Sequence, residues 1–402
     1  MEPYSRQPAE FGGDTRLSIL HVFRAPAGGL FRHVIDLARG QAAAGHRVGL
    51  ICDSHEGCGA AEEKLLALEP MLHFGVRRIT IHRLPHPGDL LAIATVRTLV
   101  RELGIDILHG HGAKGGVMSR LGVPPGGPVR AIYTPHGGSL HYAPTSPAGL
   151  VYLTAERLLR RRTDAFIFES AFAREAFAMK AGLPKKLSAV VHNGVGEADF
   201  RPLPARRPVY DVAFVGEMRL LKGVDVLLEA MAMLRQEGRI VSAILAGDGL
   251  DAAYFRDMAC DLGLAPQVTF PGVVPVREIM AQARLMAVPS LAESLPYVVL
   301  EAAAAGVPLV ATRVGGIPEI FGRAATRLVP ADDAGAFAAA LVRVLDAPQT
   351  ARAEALDLRA DVARRFSLTG MVAAVEDVYT RVLADVPLAR ITPAPARAAE
   401  GL

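Results

Sequence analysis

Cysteine is scarce. The chain has three, Cys52, Cys58 and Cys260. No pair has metal-ligand spacing and nothing suggests a disulfide framework, which fits a reducing cytosol. Long apolar runs are missing too: none reaches the roughly 18 residues needed to cross a bilayer. The opening MEPYSRQPAEFGGDTR lacks a signal-peptide core. These absences point to a cytoplasmic protein that neither spans a membrane nor is exported. A large excess of charge of one sign is absent as well, with 44 Lys+Arg against 41 Asp+Glu. A net +3 over 402 residues is too small to argue for nucleic acid. Lysine is rare, 6 against 38 arginines, which looks like GC-rich coding bias and says little about function.

What is present is unevenly placed. Residues 1–200 hold 23 Lys+Arg and 18 Asp+Glu, and the remainder 21 and 23. All 12 histidines lie at or before His192. The two halves therefore read as different working surfaces. With 51% hydrophobic and 21% charged residues the chain suits a soluble globular protein, and its length suits two domains.

Apolar strand-like runs alternate with amphipathic helical runs, the pattern of parallel sheets covered by helices. The first series is LSILHVF, HRVGLIC, RITIHRL, DILHGHG, RAIYTPHG, DAFIFES and SAVVHNGV. FRPLPARRPVY then breaks the periodicity and reads as a linker. The second series is DVAFVGE, SAILAGDG, QVTFPG, LMAVPS and LVATRVGG. We expect a flexible segment 1–16, an N-terminal domain 17–200, a linker 201–209 and a C-terminal domain 210–368. A helix over 369–385 is expected to pack back towards the first domain, followed by a disordered tail 386–402. The fold class is α/β: two Rossmann-like doubly wound parallel-sheet domains facing across a cleft, with ligands at the carboxyl ends of the strands.

AESLPYVVLEAAAAGVPLVAT carries two acids in an apolar run, Glu293 and Glu301. Pro296 suits a first helical turn, and Gly306 suits the end. Glu293 then precedes the helix, and Glu301 lies roughly 7 Å along its axis. A helix start attracts phosphate, and flanking carboxylates accept hydrogen bonds from sugar hydroxyls. The layout fits sugar–diphosphate–ribose. A helix acid plus an unrelated surface acid is the plainer reading.

Glu293-Ser-Leu-Pro-Tyr-Val-Val-Leu-Glu301 resembles the E-x7-E signature of retaining GT-B glycosyltransferases, specifically glycosyltransferase family 4. The resemblance runs from Leu17 to about Leu383. FVGEMRLLKGVD supplies Gly216, Lys222 and Arg219, the cations that the family sets against the donor diphosphate. The commoner form has arginine directly after the glycine, where this chain has Glu217. ILAGDG (Gly247) and VTFPG (Phe270) match segments near the nucleotide and its base. APAGGLFRHVIDLA places Gly28 and Gly29 on the loop facing donor and acceptor. YTPHGGSLHY supplies His136 for the donor sugar, with His111 lining the cleft and His109 doing local structural work. VHNGV matches a family turn in which His192 replaces proline, and it reads as structural. Where the family often has Gly-Phe-Gly-Leu, Ser-Leu-Pro-Tyr stands here. Backbone N–H groups near Tyr297 and Val298 must then bind the anion.

The resemblance implies an enzyme that moves a sugar from a nucleotide diphosphate sugar, UDP-sugar above all, to an acceptor hydroxyl with retention. Glu293 would hold the donor sugar and Glu301 the ribose. No metal or other cofactor is expected. His109 and His111 share a strand face, but no nearby acid or cysteine completes a metal shell. The acceptor would be a glycan or lipid-linked precursor in envelope or exopolysaccharide synthesis. LVYLTAERLLRRRTDAF joins an apolar face to Arg160, Arg161 and Arg162. It reads either as an inner-membrane contact or as a solvated basic helix end. A nucleotide-sugar epimerase and a non-catalytic sugar-nucleotide binder are the alternatives. A dehydrogenase lacks its glycine fingerprint.

Overall fold

The computed structural model describes residues 16–56, 59–138, 145–182, 184, 186–204 and 208–384. The tail expected over 386–402, all but the last residue of the segment 1–16, and the end of YTPHGGSLHY lie outside the described residues.

The first sheet has strands β1 Ser18–Val22, β2 Arg47–Asp53, β3 Gly75–Ile79, β4 Ile107–His111, β5 Arg130–Thr134, β6 Ala165–Phe168 and β7 Leu187–Val190. Its order is β3-β2-β1-β4-β5-β6-β7. The second has β8 Tyr210–Val215, β9 Ala243–Ala246, β10 Val268–Gly272, β11 Ala283–Val288 and β12 Leu309–Ala311, in the order β10-β9-β8-β11-β12. Every pairing is parallel. Helices cover both faces, so central strands such as β1, SILHV, are buried at every position.

One strand lies upstream of its expected place. RITIHRL reads as a strand, but β3 is GVRRI, paired through Gly49↔Gly75 to Asp53↔Ile79. It is a half-exposed edge strand, with Arg77 exposed and Arg78 donating to Cys52 Sγ and Glu56 O, and the two arginines blur the apolar pattern. Ile81 then turns into the core, its N–H held by Asp53 Oδ1 at 2.8 Å.

The helices of the first domain are α1 Gly28–Ala43, α2 Ala60–Leu68, α3 Asp89–Glu102, α4 Gly112–Gly122, α5 Pro147–Leu159 and α6 Ala171–Ala181. Those following β8 are α7 Val224–Gln236, α8 Ala252–Asp261, α9 Val276–Met280, α10 Tyr297–Ala305, α11 Ile317–Phe321, α12 Ala334–Asp346 and α13 Pro348–Arg365. The last, α14 Leu368–Ala384, crosses back to the first sheet. Its Val372, Val375, Val378 and Tyr379 pack with Leu37, Ile107 and Ile132. Gly40 lets α1 come close, since a Cβ there would sit 2.5 Å from Val372. Each such buried side chain stabilises by about 1.5–3 kcal/mol, enough to fix α14 on the N-terminal domain.

The chain thus crosses between the domains twice. The two crossings lie side by side: Val195 N–H donates to Phe366 O and Leu368 N–H donates to Val195 O.

Each sheet reverses its winding at one place, between β1 and β4 and between β8 and β11. Loops leaving those strands open a crevice, and the family-matched residues lie on or beside them.

Candidate active site in the interdomain cleft

Beyond β11 the chain turns through Ser290 to Pro296 before α10. Glu293 is buried there, accepting from Lys222 Nζ at 2.6 Å and Ser290 Oγ at 2.8 Å. Two glycines permit this. Gly315, at φ 57°, lies so close that a Cβ would be 1.7 Å from Glu293 O. Gly223, at φ 67°, ends the turn carrying Lys222, and a Cβ there would be 2.0 Å from Pro289 O. Both positions require glycine for conformation and for space.

Pro296 occupies the cap of α10 rather than its first turn, so the first free N–H groups belong to Tyr297 and Val298. Gly306 ends the helix in the left-handed region. Glu301 accepts from Arg32 Nη1 of α1 at 2.9 Å. Arg32 also pairs with Asp199 at 2.8 Å and with Asp36. Burial works against its charge, but these three carboxylates hold its pKa above the ordinary range. Burial raises the Glu301 carboxyl, and Arg32 opposes that rise. Tyr297 lies under Arg32, 5.5 Å from ring centre to guanidinium, and against Gly29. Its buried hydroxyl has no hydrogen-bond partner.

Gly216 and Gly247 follow the neighbouring ends of β8 and β9, and Phe270 lies within β10, against the core of this domain. A Cβ on Gly247 would fall 1.8 Å from Gly216 O, and Phe270 lies under Arg256. Arg219 stands apart from the Glu293 cluster. Its side chain is 40% exposed, 3.8 Å from Glu217.

The N-terminal wall is built of imidazoles. His21 comes from β1, His33 from α1, His109 and His111 from β4, and His136 follows β5. Gln41 Oε1 meets His21 Nε2 at 2.8 Å, His21 Nδ1 meets His111 Nε2 at 3.0 Å, and His111 Nδ1 meets His136 Nε2 at 3.1 Å. His109 is held by Tyr379 and Thr134. Burial lowers all five rings, His21 and His33 to about 4, so they are neutral at pH 7. His136 sits at φ 51°, a rare conformation for a non-glycine residue.

Further contacts bridge the walls besides Arg32 to Glu301. Asn193 joins His33 Nδ1, at 3.0 Å, to the carbonyl of Leu295, at 2.8 Å. Glu169, a buried carboxyl raised by that burial, accepts from Ser294 Oγ. Glu319 caps α6 through the N–H groups of Ala171 and Phe172 and pairs with His192 at 2.9 Å. Sequence reasoning missed Arg32, Asn193, Glu169 and Glu319, and did not join His21 and His33 to His111. Gly28 and Gly29, expected on a loop, form the first residues of α1, and Arg32 and His33 lie one turn further along it, on the same side of the helix. Nothing local marks Glu169.

The residues from 27 to 198 match the model described as Glycosyltransferase Family 4. Those from 210 to 347 match Glycosyl transferases group 1. The chain belongs to the family 4 glycosyltransferases. It is 28% identical over 383 residues to the glycogen synthase of Mycobacterium tuberculosis, covering 88% of this chain and 91% of that one. It is 29% identical to the D-inositol 3-phosphate glycosyltransferase 2 of Catenulispora acidiphila, covering 92% and 96%. Anabaena HepE, crystallised with UDP and glucose, superposes with TM-score 0.77 at 21% identity, over 91% of this chain and all of that one. The two sheets of this glycosyltransferase are those of the GT-B fold. No helix among the described residues is long and apolar enough to cross a membrane.

Proposed function

We propose that this glycosyltransferase moves a hexose from a UDP-sugar to an acceptor hydroxyl with retention of configuration. The observation that carries this is the pair of acids flanking the start of α10, each held by a cation: Lys222 on Glu293 and Arg32 on Glu301. The free N–H groups at Tyr297 and Val298 receive the diphosphate. Glu301 turns from Arg32 to the ribose hydroxyls, and Glu293 turns from Lys222 to hydroxyls of the donor sugar. Lys222, released, stabilises the departing diphosphate, with Arg219 swinging in from the surface. The bond from the anomeric carbon to the diphosphate breaks while the acceptor oxygen bonds on the same face. The acceptor's proton passes to the leaving phosphate. No metal on the diphosphate is required, because cationic side chains supply its charge. His136 orients the sugar.

The acceptor is a glycan or lipid-linked precursor met at an anionic membrane surface. Of the three arginines expected there, Arg160 and Arg162 spend their guanidinium groups on Ala181 O, Arg120 O and Val123 O. Arg161 is exposed beside the exposed Leu158 and Met179, and Lys180 lines the same depression. This mixture of apolar and basic side chains suits an anionic interface.

The test is a thermal-shift panel of UDP, GDP and ADP sugars, with the strongest donor assayed for hydrolysis and transfer. A shift with UDP-sugar that Glu301→Ala abolishes is expected. No shift with any nucleotide sugar sinks the reading.

A further inference from the structure

We propose that His33, His111 and His136 bind one divalent transition-metal ion, zinc by fit, on the N-terminal wall of the cleft. One ring nitrogen from each lies within 4.8 Å of the others. His111 Nδ1 and His136 Nε2 are 3.1 Å apart. That is close to the roughly 3.3 Å edge of a tetrahedron with zinc–nitrogen bonds of about 2.0–2.1 Å.

The hydrogen bonds fix which nitrogens are free. Asn193 Nδ2 donates to Leu295 O, so its Oδ1 faces His33 Nδ1, which must carry the proton. His33 Nε2 is then a bare lone pair, buried and without a partner. With Gln41 Oε1 accepting from His21 Nε2, His21 Nδ1 accepts from His111 Nε2, and His111 Nδ1 is left unprotonated, accepting from His136 Nε2. Two rings therefore present a lone pair on one side and give their proton to an acceptor on the other. Metal-binding histidines have this arrangement. When the ion binds, the proton on His136 Nε2 moves to its Nδ1, so the ring stays neutral.

A second triad, His21, His109 and His111, is equally close. It does not serve. Both nitrogens of His109 are occupied, by Tyr379 and Thr134, and the ring is fully buried. His136 is only half-buried and gives entry from the cleft. An all-imidazole set favours zinc, nickel, copper or cobalt over magnesium or calcium. The site is therefore separate from any ion that accompanies a diphosphate. Three protein ligands leave a fourth position open, towards the cleft.

The test is equilibrium dialysis of the full chain against zinc with elemental analysis, and titration with cobalt(II) followed by visible absorption. One ion per chain and a tetrahedral cobalt band are expected. Asn193→Ala lowers affinity about 10–100-fold, and His33→Ala lowers it further. His136→Ala, at the more exposed position, serves if His33→Ala does not fold. The pair His82 and His86, with ring centres 3.8 Å apart and outside the cleft cluster, is the control, and its double alanine variant retains the ion. The proposal fails if wild-type protein retains no zinc, or if folded His33→Ala or His136→Ala binds as wild type. Loss of the ion on substituting His82 and His86 overturns it equally.

Discussion

On the C-terminal wall of the cleft the polar groups are charged and paired, Lys222 with Glu293 and Glu301 with an arginine from across the gap. Backbone brought close by Gly223 and Gly315 holds them. On the N-terminal wall, beside the ion pairs of Arg32 with Asp36 and Asp199, stands a run of neutral rings, several hydrogen-bonded to one another. The first wall stores charge in pairs that a diphosphate and two sugars can take over. The imidazoles of the second offer lone pairs and N–H groups that carry no charge of their own. Catalysis of diphosphate departure calls for the first kind, and recognition of uncharged hydroxyls for the second.

Replacing the charged wall should have the largest effect. Lys222→Ala is expected to lower kcat by about 10²–10³-fold, the usual loss when one charge-stabilising donor is removed. Steady-state kinetics with the best donor would check this, and an unchanged kcat would remove the contrast between the walls. Gly315→Ala tests the backbone beneath the charges. It should lower stability by about 2–3 kcal/mol, since it strains φ and collides with Glu293. Urea unfolding reads that loss.

The neutral wall has its own signature. His21 and His33 titrate at about 4 when folded, against 6.5 otherwise. Between those values the unfolded chain binds more protons. Stability is therefore full above about pH 6.5 and falls as pH drops towards 4, by up to about 1.4 kcal/mol per pH unit per ring. His33→Gln should flatten the curve, and a pH series of urea midpoints decides. The smallest effect lies outside both walls. Arg161→Glu with Lys180→Glu should weaken sedimentation with anionic vesicles by about 1 kcal/mol per residue, leaving turnover of a soluble acceptor unchanged.

Much of this was legible in the chain. Eleven of the twelve strands fall where the apolar runs stand, because parallel strands buried on both faces must be apolar along their length. The exception, β3, is a half-exposed edge strand with two arginines in its run. Glu293, Lys222 and the glycines around them announce themselves through local spacing. The histidine wall does not, because its members come from four separate segments and only the order of strands brings them together. Arg32 and Glu301 are 269 positions apart, and Glu169 is a carboxyl on a strand end like any other until burial sets it against Ser294.

The paired crossings at Val195 and Ser367 have a mechanical meaning. A single tether lets two bodies swivel in any direction, whereas two laced side by side act as the knuckles of a door. Rotation about one line remains, and twisting out of that line strains the lacing. Arg32 and Glu301, far apart in sequence, would then meet in the same register every time the jaws shut.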